Sequence, residues 1–279
     1  MDTQNLRTFL VLSELKNFTQ TADQLFVAQS TVTNRISELE RELGKKLFNR
    51  DKRSVELTNE GAIFRSYAKR IITLEESSIQ EINSQNLFKN NLRIGTTNTI
   101  YECYLYNRIH DYMNRNLDCA VKVTIGHSIS LLQALQDGLL DLVYSYVPMN
   151  KNGFSCETFA TDRLVLVTSP GNNIYKKGIK KEALSNINYL FCNFALQEVG
   201  YFIKELFPPF YQFRFEIDNS TKLVQYLIDG NGFSFLPESL VNANIASKEL
   251  EIIPLIDFDT PMINCYRVYR NDGNAATLI

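Results

Sequence analysis

The chain has 279 residues, 44% of them hydrophobic and 22% charged, and its 29 basic and 31 acidic residues leave a net charge of −2. That is material for about two domains at roughly 100–200 residues each, and 12 glycines and 7 prolines exclude collagen-like and low-complexity chains. No apolar run approaches the roughly 18 residues of a membrane-spanning helix, and a uniformly basic nucleic-acid coat is excluded, although a local basic module is not.

The opening Met1-Asp2-Thr3-Gln4-Asn5 has no basic segment ahead of an apolar one, so no secretory leader is expected and the protein is placed in the cytoplasm. The first 90 residues then read as helix after helix, and the remainder as alternating strands and helices. In the first helix Leu6, Phe9, Leu10 and Leu15 form a stripe at helical spacing. Asn17 or Thr19 caps a short second helix ending at Leu25, with Ala22 and Leu25 turned inward. After Phe26-Val27-Ala28 a third helix starts near Gln29 or Ser30. Its apolar face is Val32, Ile36, Leu39 and Leu43; its other face carries Ser30, Thr31, Thr33, Asn34, Arg35 and Ser37. Small hydroxyls, an amide and an arginine at an exposed helix N-terminus suit a DNA major groove, with Gln29, Thr31, Thr33 and Arg35 placed to read bases.

Lys45 to Thr58 reads as two short β segments with a basic tip, a wing. Leu47, Phe48 and Leu57 close a small core there, and Arg50, Lys52 and Arg53 face the phosphate backbone or minor groove. Between residues 30 and 70 ten basic residues stand against six acidic ones. Such a patch is the footprint of phosphate binding, although an ordinary solvated face would carry one too. Thr58 caps a long fourth helix running to about Leu87. Phe64, Tyr67, Ile71, Leu74, Ser78 and Ile82 recur along it with steps of three or four, a seam that favours a homodimer over packing on its own domain.

Beyond residue 90, Leu92–Gly95, Ala120–Gly126 and Leu142–Val147 read as strands separated by helices at Ile100–Arg115 and from Ser128 or Ser130 onward. That order implies right-handed crossovers and a largely parallel sheet. Arg163–Val167 begins a second half, and Cys265–Tyr269 is the last strand. Thr96, Thr97, Asn98 and Thr99, then Ser128, then Asn219 and Ser220, lie in strand-end loops before helix N-termini. Hydroxyls with unpaired backbone N–H groups make an anion cradle without lysine, although each alone reads equally as a plain cap. Tyr144, Tyr146 and Phe194 either wall such a pocket or belong to the core.

The cysteines at 103, 119, 156, 192 and 265 are odd in number, widely spaced and contain no C-x-x-C, so they read as free buried thiols. His110 and His127 have no cysteine at ligand spacing. No metal and no cofactor is expected.

Residues 1–90 resemble the winged helix-turn-helix of LysR-type transcriptional regulators. The resemblance is carried by Phe18 to Leu25, Gln29 to Glu40, Leu43-Gly44, Leu47 to Arg50, Arg53 and Leu57 to Gly61, in order and at fixed offsets. Two departures stand out. Ala28 occupies a position commonly held by serine, which moves the cap of the reading helix to Gln29 or Ser30, and Thr21-Ala22 replaces the usual pair of alanines. The resemblance implies an α/β chain overall: a DNA-binding winged helix-turn-helix over 1–60, a linker and dimerisation helix over 58–88, and a two-lobed α/β effector domain over 91–279 like a periplasmic solute-binding protein. Lobe I is expected over 91–161 plus 266–279, and lobe II over 162–265. A further helix after the last strand is common in the family; residues 271–279 leave room for a short turn of one at most.

The resemblance also implies double-stranded DNA, RNA polymerase and a small metabolite, often an organic anion, as partners, and a homodimer or homotetramer. Thr99 matches a position where the family often has a ligand-contacting serine or threonine. Effector in the cleft would change the angle between lobes and so the spacing of paired DNA-binding heads. The alternative from another class is a small-solute-binding protein without regulatory DNA binding; the missing leader and the basic head argue against it. An enzyme is not expected, since no G-x-S-x-G, P-loop, H-E-x-x-H or dinucleotide fingerprint is present, and Asp141 and Asp162 have no visible histidine partner.

Overall fold

A computed structural model describes residues 1–50, 54–84, 88, 90–193 and 198–271. The chain divides into two compact units, Met1–Leu87 and Phe88–Ile279.

In the first unit α1 (Thr3–Leu15), α2 (Phe18–Leu25) and α3 (Gln29–Leu43) pack through Leu6, Phe9, Leu12, Val32, Ile36 and Leu39, each at most 1% exposed. Side chains buried this fully stabilise by roughly 1.5–3 kcal/mol each. Asn17 caps α2, its side-chain oxygen accepting from Thr19 N and Gln20 N at 2.9 and 3.1 Å. The wing strands β1 (Phe48–Arg50) and β2 (Val55–Leu57) pair antiparallel with Phe48 opposite Leu57. The Phe9 ring lies 5.4 Å from Phe48 and 5.2 Å from Phe64, joining wing, head and the long helix α4 (Asn59–Ser84) in one core.

Thr58 caps α4 as expected: its Oγ1 accepts from Gly61 N at 2.9 Å and donates to Lys46 O at 2.7 Å. Residue 61 must be glycine because an added Cβ would overlap the Leu47 carbonyl oxygen. The apolar residues of α4 divide between two faces. Ala68 and Ile72 are buried, and Phe64 and Ile71 pack against the head core, whereas Ile63, Tyr67, Leu74, Ile79 and Ile82 stay exposed. The expected seam is therefore split, with Phe64 and Ile71 committed to the protein's own core.

The second unit opens with β3 (Asn90–Thr96) and a helical run of three parts: α5 (Asn98–Ile100), a π turn over Tyr101–Leu105, and α6 (Tyr106–Arg115). The π turn is marked by the Tyr106 N–H bonding to Tyr101 O, five residues back. It replaces the uniform helix expected from Ile100. Strand β4 (Cys119–Ile125), α7 (Ser128–Gln136) and β5 (Leu142–Ser145) follow, and β3 lies parallel between β4 and β5. This is the core of lobe I.

Within the seven-stranded sheet the pairing is parallel only there. The 15-residue strand β6 (Phe154–Thr168) leaves lobe I and enters lobe II without a break. Arg163–Val167, the expected start of a second half, is the far end of this one strand. Lobe II adds β7 (Leu190–Cys192), α8 (Glu198–Glu205), β8 (Phe215–Ile217), α9 (Ser220–Ile228), β9 (Ser234–Pro237), α10 (Glu238–Ala246) and β10 (Glu251–Ile252). The last strand, β11 (Met262–Arg270), runs back beside β6, antiparallel from Arg163 to Phe154, and joins β5. The chain crosses between lobes twice in opposite senses, so the two crossing strands pair antiparallel. Lobe II holds its strands with aromatic rings: Tyr189 lies 4.9 Å from Phe207 and 5.7 Å from Phe213, and its hydroxyl accepts from Phe235 N at 3.2 Å.

Candidate functional site

In the head, α3 begins after Ala28, an extended residue that offers no side-chain cap. The cap expected from Gln29 or Ser30 is not made. The first backbone N–H groups of a helix have no partner within it, so this end of α3 keeps donors for an outside acceptor. Gln29, Ser30 and Asn34 are exposed, and Thr31 and Thr33 are half-buried. Thr33 Oγ1 donates to Gln29 O at 3.1 Å. Arg35 departs from expectation: half-buried, it donates from Nη1 to Thr8 Oγ1 at 3.2 Å and braces α3 against α1. Arg50 ends β1; its side chain, with Lys52 and Arg53, lies outside the described residues.

Glu40 is the head residue that the sequence reading passed over. It is 4% exposed. Its Oε1 accepts from Leu47 N at 2.9 Å and Phe48 N at 3.4 Å, and its Oε2 pairs with Lys46 Nζ at 2.9 Å. One carboxylate thereby fixes the wing to the reading helix. Position 40 falls four residues after Ile36, on the apolar face, and that spacing was the available signal.

In the second unit the candidate ligand residues do converge. A cavity of about 150 Å³ is lined by residues 97–99 and 125–128 of lobe I and 218–220 of lobe II. Its walls meet through side-chain bonds across the lobes. Thr99 Oγ1 and Ser220 Oγ lie 2.5 Å apart, and Asn98 Nδ2 donates to Thr221 Oγ1 at 2.5 Å and Asn219 Oδ1 at 3.2 Å. His127 Nε2 stands 3.6 Å from Asp218 Oδ2. Asn219 also caps α9 by accepting from Lys222 N at 3.1 Å.

Two readings need correction. Thr96 is fully buried, donates to the Thr97 carbonyl and does not line the cavity. Ser128 is the first residue of α7 and not its cap; its Oγ accepts from Tyr146 N at 3.3 Å, and His127 occupies the cap position without a side-chain bond. Tyr144 and Tyr146 are core, the former edge-on to Phe159 at 4.7 Å. Phe194 lies outside the described residues. His127, Asp218, Ile125 and Gly126 are lining residues that the sequence reading did not select. Asp218 was adjacent to the chosen Asn219, and His127 to Ser128, which was the signal to extend both segments.

Where the lobes join, Asp162 is nearly buried. Tyr104 OH donates to its Oδ2 at 2.8 Å and also lies 2.8 Å from Ser239 Oγ; Ser239 Oγ bonds the same carboxylate. The π turn carries Tyr104 to this point. Burial drives the Tyr104 phenol well above its ordinary range, and pushes the thiols of Cys103 and Cys265 up to about 11 and about 12. Thiols so held are weak nucleophiles at neutral pH. Asp141 pairs with Arg93, whose Nη2 and Nε reach its two oxygens at 2.6 and 3.2 Å. Among the described residues no group of histidine, cysteine and acidic side chains is placed to hold a metal, and no helix is long and apolar enough to cross a membrane.

Comparison with known proteins agrees with both halves of this geometry. Residues 3–62 match the family model for the bacterial regulatory helix-turn-helix protein, lysR family, and residues 85–278 match the LysR substrate binding domain. The chain is 28% identical over 278 residues to the HTH-type transcriptional regulator CitR of Bacillus subtilis (strain 168), covering 97% of this chain and 95% of CitR. It is 26% identical over 287 residues to HdfR of Escherichia coli O139:H28, covering 100% and 95%. Among solved structures, the LysR family transcriptional regulator CbnR superposes with a TM-score of 0.70 at 19% identity, covering 98% of this chain and 93% of that one. CbnR bound to its target DNA gives 0.69.

Proposed function

The chain belongs to the LysR family of transcriptional regulators, and from that premise we propose that it reads a specific operator and is switched by a small organic anion bound between its lobes. It is a DNA-binding regulator with an effector-binding domain; the operator contacts, the effector and the switch are the proposal.

Gln29, Ser30 and Asn34 meet base edges, flanked by Thr31 and Thr33. Arg35 joins them by exchanging Thr8 for a base or phosphate. Arg50, Lys52 and Arg53 anchor the backbone. A homodimer, or a homotetramer built from it, sets two reading helices about 34–36 Å apart in successive major grooves. The exposed face of α4, with Ile63, Tyr67, Leu74 and Ile82, supports that helix within 58–88 as the pairing element. The fold shared with CbnR, which has been solved on its target DNA, supports the same docking. RNA polymerase is the further partner, and the cytoplasm the place of action.

The observation that carries the switch is the cavity at which Thr97, Asn98, Thr99 and Ser128 of lobe I face Asn219 and Ser220 of lobe II. Effector there competes with the Thr99–Ser220 and Asn98–Asn219 bonds and so favours a different interlobe angle. It shifts the population only by its difference in affinity for the two arrangements.

The test is a gel-shift titration of the full chain on its own upstream DNA at two salt concentrations, with random DNA as competitor. Binding that survives competition and responds to an extract of small metabolites supports the proposal. Binding that vanishes under competition, or follows salt alone, overturns it.

A further inference from the structure

We infer that the anionic group bound between the lobes is the carboxylate of a small α-amino acid, which brings its own ammonium group, and not one of a di- or tricarboxylate. This inference rests on reading the interlobe cavity as the effector site.

The charge inventory of the cavity carries the argument. Among the described residues its polar side chains are hydroxyls, two amides, one imidazole and one carboxylate, Asp218, and no lysine or arginine lines it. Neutral donors such as the hydroxyls of Thr97 and Ser128 suffice for one ligand carboxylate, since each hydroxyl donates a hydrogen bond to an anion. A second carboxylate meets Asp218 with no lysine or arginine among the described lining residues to neutralise either charge, and like charges at close range disfavour one another. A polycarboxylate is therefore rejected, whereas a ligand that brings its own cation is welcomed.

Asp218 is placed for that cation. Its side chain is 73% exposed and its present neighbour across the lobes is His127, 3.6 Å away and itself 58% exposed. An ammonium group entering beside them replaces a long imidazole contact with a charge-assisted hydrogen bond. The ligand carboxylate then bonds the hydroxyl side, and the ligand's own body bridges the lobes. Among the described lining residues Ile125 is the single large apolar side chain. With about 150 Å³ of space, that favours a short side chain.

The experiment screens the twenty common L-amino acids, citrate, malonate and propionate against the full-length protein by thermal shift. Each hit is then measured by calorimetry beside its analogue with the amino group replaced by hydrogen or hydroxyl. We expect one or a few small amino acids to bind at least tenfold tighter than these analogues. Asp218→Asn should cut that ratio to about one while leaving weak binding of the plain acid. Citrate or malonate binding more tightly than every amino acid overturns the inference, as does a hydroxy acid binding equally well, or no amino acid binding at all. Thr99→Val separates this failure from failure of the site itself. If citrate binds and Thr99→Val abolishes it, the cavity stands and the ligand class falls. If a ligand of either kind binds undisturbed by Thr99→Val and Asp218→Asn, the cavity reading falls with it.

Discussion

Glu40→Ala should loosen the wing from the reading helix at a cost that the geometry bounds. The Glu40 side chain is 3% exposed, so water does not replace the lost carboxylate. Leu47 N loses an acceptor at 2.9 Å, and a buried unpaired N–H costs about 1–3 kcal/mol. The Phe48 bond, at 3.4 Å, is near the limit of a hydrogen bond and adds a fraction of that. Lys46 is 74% exposed, so its pairing contributes at most about 1 kcal/mol. The sum is about 3 kcal/mol. Glu40→Gln retains an oxygen for Leu47 N and loses only charge assistance, about 1 kcal/mol. In a module of this size 1 kcal/mol shifts Tm by roughly 4–8 °C, so the alanine variant should lose roughly 12–24 °C and the glutamine variant roughly 4–8 °C. Circular dichroism melts of the full chain measure this, the head transition being the one that operator DNA raises. Operator affinity should fall in the same order. An alanine variant within 0.5 kcal/mol of wild type, or a glutamine variant as damaged as alanine, would refute the assignment of Glu40 as the wing's anchor.

Gly61→Ala should destabilise the head by about 2–4 kcal/mol, because its Cβ overlaps the Leu47 carbonyl oxygen and sits 2.9 Å from Leu57 Cδ2; an unchanged head melt would show that α4 and the wing do not approach so closely. Phe26→Gly should stabilise by about 0.5–1 kcal/mol in urea unfolding. Phe26 is 95% exposed at φ 53°, so the substitution relieves left-handed strain without losing burial, and a loss of stability would contradict that account. Burial raises the Tyr144 phenol to about 12, against about 10 unfolded. Its contribution is therefore complete below pH 10 and declines as pH rises from about 10 to about 12, by about 2–3 kcal/mol in all. Urea midpoints followed with absorbance at 295 nm should fall over that window in wild type and more weakly in Tyr144→Phe; equal slopes would assign the alkaline loss elsewhere.

Local pattern was legible wherever the relevant residues are close in sequence. The stripe of α3, the Asn17 and Thr58 caps, the two wing strands and the β-α-β order beyond residue 90 all follow from spacings of two, three or four residues, which the backbone periods translate directly into faces. That residues 97–99, 128, 219 and 220 line one cavity was within reach for the same reason, since each stands where a strand gives way to a helix. Thr96 was lost because one step along a strand turns a side chain from the cleft to the core.

The sequence by itself thus determined the helices and wing strands of the head, the β-α-β order that opens the second unit, and that a basic winged head precedes an α/β unit. Only the tertiary structure decided which side chains meet. Thr99 finds Ser220 at a separation of 121 residues, and Asp162 finds Tyr104 and Ser239 from 58 and 77 away. Arg35 turns to Thr8, 27 residues earlier. The unbroken passage of β6 between lobes, and its antiparallel return in β11, likewise depend on where the whole chain travels. Helix caps and amphipathic stripes are short-range effects that a few neighbouring residues fix. Cross-lobe bonds arise only after folding has brought distant segments together, and no local spacing encodes that proximity.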